Sequence, residues 1–227
     1  VDYLHQFLFG IYPYIALAIF LLGSLIRFDR EQYTWKSESS QTLHTGMLRL
    51  GSPLFHVGVL GLFFGHAVGL LTPVGVWDAL GIEHGTKQLV AMVAGGVMGS
   101  LALIGLLMLL ARRFSNDRIR AVTTFKDKIV LLWILATLLL GLSSIVSSAG
   151  HMDGHMMVLL MNWAQHVVTF RGDAAGFIEA APLVFKLHLF MGMSLFVIFP
   201  FTRLVHVWSG FGAVTYLGRA FQLVRSR

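Results

Sequence analysis

Cysteine is absent from this chain of 227 residues, and that absence closes off several kinds of chemistry. Without thiols the protein forms no disulfide and holds no iron–sulfur cluster of its own, so any redox function rests on histidine. Charge is the second shortage. Asp, Glu, Lys and Arg make up 12% of the residues, half of the ~25% usual in a soluble domain. Hydrophobic residues reach 56% with a mean hydropathy of +0.74, and they gather in long runs that mark a membrane protein. The pI near 10.0 points to no nucleic-acid partner, because the basic residues sit in short loops without interleaved exposed aromatics. There is no internal repeat and no low-complexity tract, so 1–227 reads as one domain.

Five runs are long enough to cross a bilayer, which takes ~20 apolar residues: 7–26, 53–72, 88–111, 129–148 and 182–208. Each must be helical, because lipid offers backbone groups no partner. The expected fold is therefore an all-α integral membrane bundle of five transmembrane helices, embedded in lipid. A sixth apolar stretch, 156–170, is shorter and carries Asn162, Gln165 and His166. It reads as a helix along the interface, with Trp163 at headgroup level.

Arg27, Arg30, Lys36 and Arg49 lie between the first and second runs, and Arg112, Arg113, Arg118, Arg120, Lys126 and Lys128 between the third and fourth. Arg203, Arg219, Arg225 and Arg227 add to the same side at the C-terminal end, against Lys87, Arg171 and Lys186 on the other. The positive-inside bias puts the N-terminus outside and the C-terminus in the cytoplasm. No basic region precedes the first run, which argues against a cleaved signal peptide.

Of ten histidines, four fall inside the runs: His56 and His66 in the second, His188 and His206 in the fifth. An intramembrane ionisable residue is a candidate functional site, although any one of them could instead be satisfied by a neighbouring helix or face a cavity. On an ideal helix His56 and His66 lie ~15 Å apart in depth and ~80° apart in direction, while His188 and His206 share a face ~27 Å apart. The second and fifth runs are antiparallel, so depth pairs His66 with His188 and His56 with His206. Two opposed pairs suit six-coordinate haem, in which the porphyrin supplies four nitrogens and two imidazoles close the axis. Zinc wants four convergent ligands instead. The sequence thus predicts two b haems between the second and fifth helices. The mismatch between ~15 Å and ~27 Å falls where Pro200 removes a helical hydrogen bond and kinks the fifth run.

Glycine fits the same picture. Gly61, Gly65 and Gly69 recur every fourth residue, Gly192 follows His188 by one turn, and Gly95, Gly96 and Gly99 notch the third run. Small-residue helix packing and close approach by a flat macrocycle both call for such positions.

The chain resembles the γ, or cytochrome b, subunit of membrane-bound respiratory nitrate reductase nearly end to end. The resemblance rests on IYPYIA at 11–16, QYTW at 32–35, LFHVG at 54–58, FGHAVG at 64–69, HMDG at 151–154 and WAQHVVTF at 163–170. KLHLFMGMSLFVIFPFTRLVHVWS at 186–209 is the longest match. The resemblance implies two b haems in the inner (cytoplasmic) membrane, an outer one on His66 and His188 and an inner one on His56 and His206. It also implies oxidation of a quinol (menaquinol or ubiquinol) near the outer face. Electrons would then pass inward to an iron–sulfur subunit and a molybdenum-containing subunit on the cytoplasmic side, where nitrate is reduced.

Lys87 matches the lysine associated with the quinol site of that family. By position it opens the third run at about the level of His66 and could bond a quinol oxygen, or simply snorkel to the interface. Gly65 and Gly69 are candidate walls of the same pocket. Arg112 and Arg203 are candidate partners of haem propionates, though the positive-inside bias accounts for both equally well. His151, Asp153 and His155 have the composition of a metal site without a recognised spacing, and read as loop packing beside the outer haem. His5, His44, His84 and His166 read as interfacial or solvated. Two other readings remain open: a cytochrome b anchor of another complex, such as a heterodisulfide reductase, and a haem-free transporter or anchor.

Overall fold

The computed structural model describes residues 2–31 and 46–209, so QYTW, Lys36, His44 and the last three arginines lie outside the described residues. Five helices are long and apolar enough to span a membrane: α1 (Tyr3–Arg30), α2 (Leu48–Leu71), α3 (His84–Ser115), α4 (Phe125–Ala149) and the span Leu183–Phe201. Between the last two lies a shorter helix, α5 (His155–Val168), and the regular helical part of the fifth span is α6 (Leu183–Ile198). No strand occurs among the described residues.

The closest crossing joins α2 to α3. A Cβ built at Gly58 would collide with the backbone of Ala102, and one at Gly105 with that of Phe55, so the two backbones touch through glycine. One core runs across this crossing into α4, from Ala102, Leu106 and Leu110 to Val130, Leu131 and Leu138. α6 packs on α4 and on α1. A second core lies at the other end, where α5 meets α1 and the turn Ala174–Ile178 around Phe9, Trp163 and Ile178.

α5 is buried in protein there. Trp163 is 3% exposed, so it does not face headgroups as the sequence led us to expect. The cause is local. Pro13 has no N–H to offer the carbonyl four residues back, α1 passes through a π turn at Phe7–Ile11, and the Trp163 indole donates to the Phe9 carbonyl at 2.9 Å. Gln165 on the same helix donates to the carbonyls of Leu70 and Thr72, at 3.0 and 3.1 Å, and so closes the C-terminus of α2. Such terminal carbonyls have no partner within their own helix.

The fifth span does not continue as one helix to Trp208. After Ile198 the chain makes a 3-10 turn at Phe199–Phe201, passes through extended Thr202 (φ −124°, ψ 179°), and turns again at Arg203–Val205. Pro200 starts the break, and Arg27 of α1 holds it by donating to the carbonyls of Pro200 and Thr202 at 2.7 and 2.8 Å.

Candidate functional site

The four intramembrane histidines meet as two pairs. His56 of α2 faces His206, beyond the break, with ring centres 6.2 Å apart. His66 of α2 faces His188 of α6 at 6.1 Å. A direct N–H···N bond between imidazoles, ~3 Å long with each ring centre ~1 Å beyond its nitrogen, would bring the centres to ~5 Å. Two nitrogens ~2 Å from one shared metal ion give ~6 Å. Both pairs stand at the second distance.

Every ring is oriented by a backbone carbonyl. Nδ1 of His56 meets the Ser52 carbonyl at 2.8 Å, that of His66 the Leu62 carbonyl at 2.7 Å, and that of His206 the Arg203 carbonyl at 2.7 Å. His188 reaches across to α4, where its Nδ1 meets the Thr137 carbonyl at 3.0 Å. A carbonyl only accepts, so Nδ1 carries the proton and the neutral ring keeps its lone pair on Nε2. Histidines that bind metals are held by this kind of second bond.

The space between the helices suits a flat group. α2 rests on α3 and α5 while α6 rests on α4 and α1, so the two histidine-bearing helices share no substantial packing of their own. Gly65 and Gly69 of α2 and Gly192 of α6 have nothing within 4 Å of a built Cβ. By contrast Gly61, on the same row as Gly65, packs on Met98, and Gly99 packs on Leu142. The glycine pattern therefore divides into helix contacts and open positions beside the histidines. No group of three or more His, Cys, Asp or Glu among the described residues could hold a metal ion by itself. Two imidazoles per iron, with a porphyrin supplying the rest, match what is present.

Lys87 does not snorkel. It is 6% exposed, its Nζ donates to the Gly69 carbonyl at 2.8 Å and meets Met161 Sδ at 2.6 Å, and it stands 4.7 Å from the centre of the Trp77 ring. The amine thus adjoins the open row of Gly65 and Gly69, one turn beyond His66.

At the opposite end Arg113 and Arg203 share Asp127, with N–O distances of 3.3 and 3.4 Å. Asp127 also forms a capping box with Thr124 at the start of α4. Arg112, beside them, is 3% exposed. The sequence reading missed Asp127, although Thr124 followed three residues later by an acid is a legible cap signal. Gln165 and Thr137 gave no such signal.

The remaining histidines separate. Asp153 accepts from the His155 N–H at 3.0 Å, an ordinary turn ahead of α5. His5 bonds the Ala175 carbonyl at 2.9 Å and His84 lies 3.6 Å from Asp78. His166 is no solvated residue: its side chain is 17% exposed and pairs with Asp173 at 2.6 Å. That bond holds the Asp173 carboxyl below its ordinary value.

Five apolar helices define a multi-pass membrane protein, in which α2 and the fifth span with the segment after it bring four histidines together as two pairs. The family model for the nitrate reductase gamma subunit matches residues 5–227. The chain is 49% identical to the respiratory nitrate reductase 1 gamma chain of Escherichia coli (strain K12), over 100% of both chains. It is 48% identical to the respiratory nitrate reductase 2 gamma chain of the same strain, over 100% of this chain and 99% of the relative. With the nitrate reductase gamma chain of Bacillus subtilis (strain 168) the identity is 37%, over 98% of each. The chain belongs to the nitrate reductase gamma subunit family, and is therefore part of an oxidoreductase complex.

Proposed function

We propose that this chain is the cytochrome b subunit that oxidises quinol for a respiratory nitrate reductase in the inner membrane. The observation that carries the reading is the pair of ring separations, 6.2 and 6.1 Å, each with Nδ1 tied to a carbonyl. His66 and His188 would hold an outer haem b, and His56 and His206 an inner one. Arg112 and Arg203 would meet propionates at the inner site. Bound haem supplies one-electron redox chemistry at two depths of the membrane.

The protein's own groups do the rest. With the N-terminus outside, Lys87, Gly65 and Gly69 stand near the periplasmic face beside His66. Lys87 donates a hydrogen bond to a quinol oxygen, whether menaquinol or ubiquinol, and the two glycines leave room for the ring. Oxidation of one quinol to quinone releases two protons, which leave on the outer side, and two electrons, which move inward. Carrying each electron inward against the potential costs ~2.3 kcal/mol per 100 mV, which a strongly oxidising acceptor such as nitrate offsets. A chain without cysteine cannot itself hold the clusters that receive those electrons. An iron–sulfur subunit does so on the cytoplasmic side, docked on the basic loops, and a molybdenum-containing subunit reduces nitrate.

A haem count on the purified complex tests the reading, from the reduced-minus-oxidised spectrum and the pyridine haemochrome. Two b haems per copy of this chain are expected, and a His66→Ala variant should lose the outer one and quinol oxidation while keeping the inner one. A colourless chain prepared without haem loss, or a His66→Ala variant retaining both haems, overturns it.

A further inference from the structure

Three of the four histidines take their second hydrogen bond from their own helical turn. His56 and His66 use carbonyls four residues back, and His206 one three residues back. His188 is different, because its partner is Thr137 on the neighbouring helix. That carbonyl lies inside α4, where it already serves the helix ladder, and its second lone pair is what the imidazole can use. Reaching it requires the ring to lie against α4 one turn further on, where residue 141 stands.

We propose that Gly141 is the positioning residue for His188: the absence of a side chain there lets the imidazole lie against α4 and donate to the Thr137 carbonyl. A Cβ built at Gly141 would stand 2.8 Å from His188 Cε1, 3.3 Å from Nδ1 and 3.5 Å from Nε2. The Cε1 contact is closer than a side chain tolerates and the Nδ1 contact is tight, so the imidazole must shift away from α4 on the edge that carries its bond to Thr137. With Nδ1 bonded to the Thr137 carbonyl, and with Nε2 left to hold haem iron when haem is bound, the ring would have little freedom to move away. The other glycines of the spanning helices meet backbone atoms, side chains such as those of Gln6, Pro200, Met98, Met108, Leu142 and Ile145, or nothing. Gly141 meets a candidate ligand. The inference rests on the reading that His66 and His188 together hold the outer haem, and adds the group that sets the orientation of one of them.

Such second bonds fix ring orientation and ligand basicity, and their loss typically weakens metal binding 10–100-fold. The test compares Gly141→Ala, Gly95→Ala and His188→Ala in the assembled complex in native membranes. Each haem is followed separately by potentiometric titration and by the low-spin ferric signal in electron paramagnetic resonance. Gly95 is the control, because its built Cβ meets only Ile145 Cδ1, at 3.9 Å.

Gly141→Ala should shift the potential and resonance of the outer haem, or lose that haem, with the inner haem unchanged. Gly95→Ala should leave both as they are. Wild-type signals from both haems in Gly141→Ala overturn the proposal, as does loss of both together, because the contact involves His188 alone. An equal effect of Gly95→Ala also overturns it, since packing in general would then be the cause. His188→Ala separates the two levels. If that variant keeps both haems, the ligand assignment itself fails; if it loses the outer haem while Gly141→Ala does not, only the positioning role fails.

Discussion

At position 87 an ammonium group sits 6% exposed between the Gly69 carbonyl, the Met161 sulfur and the Trp77 ring. Val68 receives the Thr72 N–H, Leu70 is served by Gln165, and Gly69 depends on the lysine. Replacing Lys87 by Met keeps the aliphatic stem and removes the donor, which leaves that carbonyl unserved at a cost of ~1–3 kcal/mol. Lys87→Met should therefore lower the melting temperature slightly and raise the KM for quinol, with both haem bands intact. Quinol kinetics unchanged from wild type would leave Lys87 as a helix cap alone. The lysine's candidacy came from the family resemblance, since its place at the head of a span fits a snorkelling side chain equally well. Its burial was not legible, because Gly69 and Met161 lie 18 and 74 residues away and no periodicity links them.

Elements, rather than residues, explain how histidines 10 residues apart on one helix meet histidines 18 apart on the other strand of chain. The sequence showed that Pro200 must disturb the fifth span, and showed which histidines share a depth. The form of the break was hidden, since it depends on Arg27 of α1 donating to the carbonyls of Pro200 and Thr202 and on Asp127 of α4 facing Arg203. Asp127 therefore joins α3, α4 and the segment bearing His206 through one carboxylate. Asp127→Ala removes the carboxylate half of the α4 capping box and the acid that Arg113 and Arg203 share, a loss on the order of 3 kcal/mol. The expected result is a lower melting temperature and a weakened or shifted inner-haem signal, with the outer haem intact. An unshifted melting curve would show the network to be incidental. Helix existence was plain from hydropathy alone, because lipid permits little else. The helix partners were not, because glycine rows look alike whether they meet a backbone, a side chain or open space.

Across the whole molecule the two ends are closed by different means. One end uses arginines gathered on Asp127, the other a short helix whose side chains bond the carbonyls of α1 and α2. The latter end also carries the His166–Asp173 contact, which ties α5 to the turn that follows it. The histidine bond lowers the Asp173 pKa, so its stabilising effect is fully present above the unfolded carboxyl value of ~3.9 and fades as pH falls through the lowered one. Protection from hydrogen exchange in 169–178, taken relative to the intrinsic rate at each pH, should accordingly hold down to the acid range and fall below it. Asp173→Asn should quicken exchange there already at neutral pH. Equal exchange in variant and wild type would leave that contact without a role in closing the molecule.

The unpacked edge between α2 and α6 has a consequence for biogenesis. A bundle whose other edges are already in contact can receive its last component sideways, from the lipid phase, without unfolding. On the proposed reading haem is that component and acts as a keystone. Newly made chain would wait in the membrane with α2 held mainly by α3 and α5, open to proteases until the metal ring arrives. Haem supply would then set how many copies survive to meet their partners.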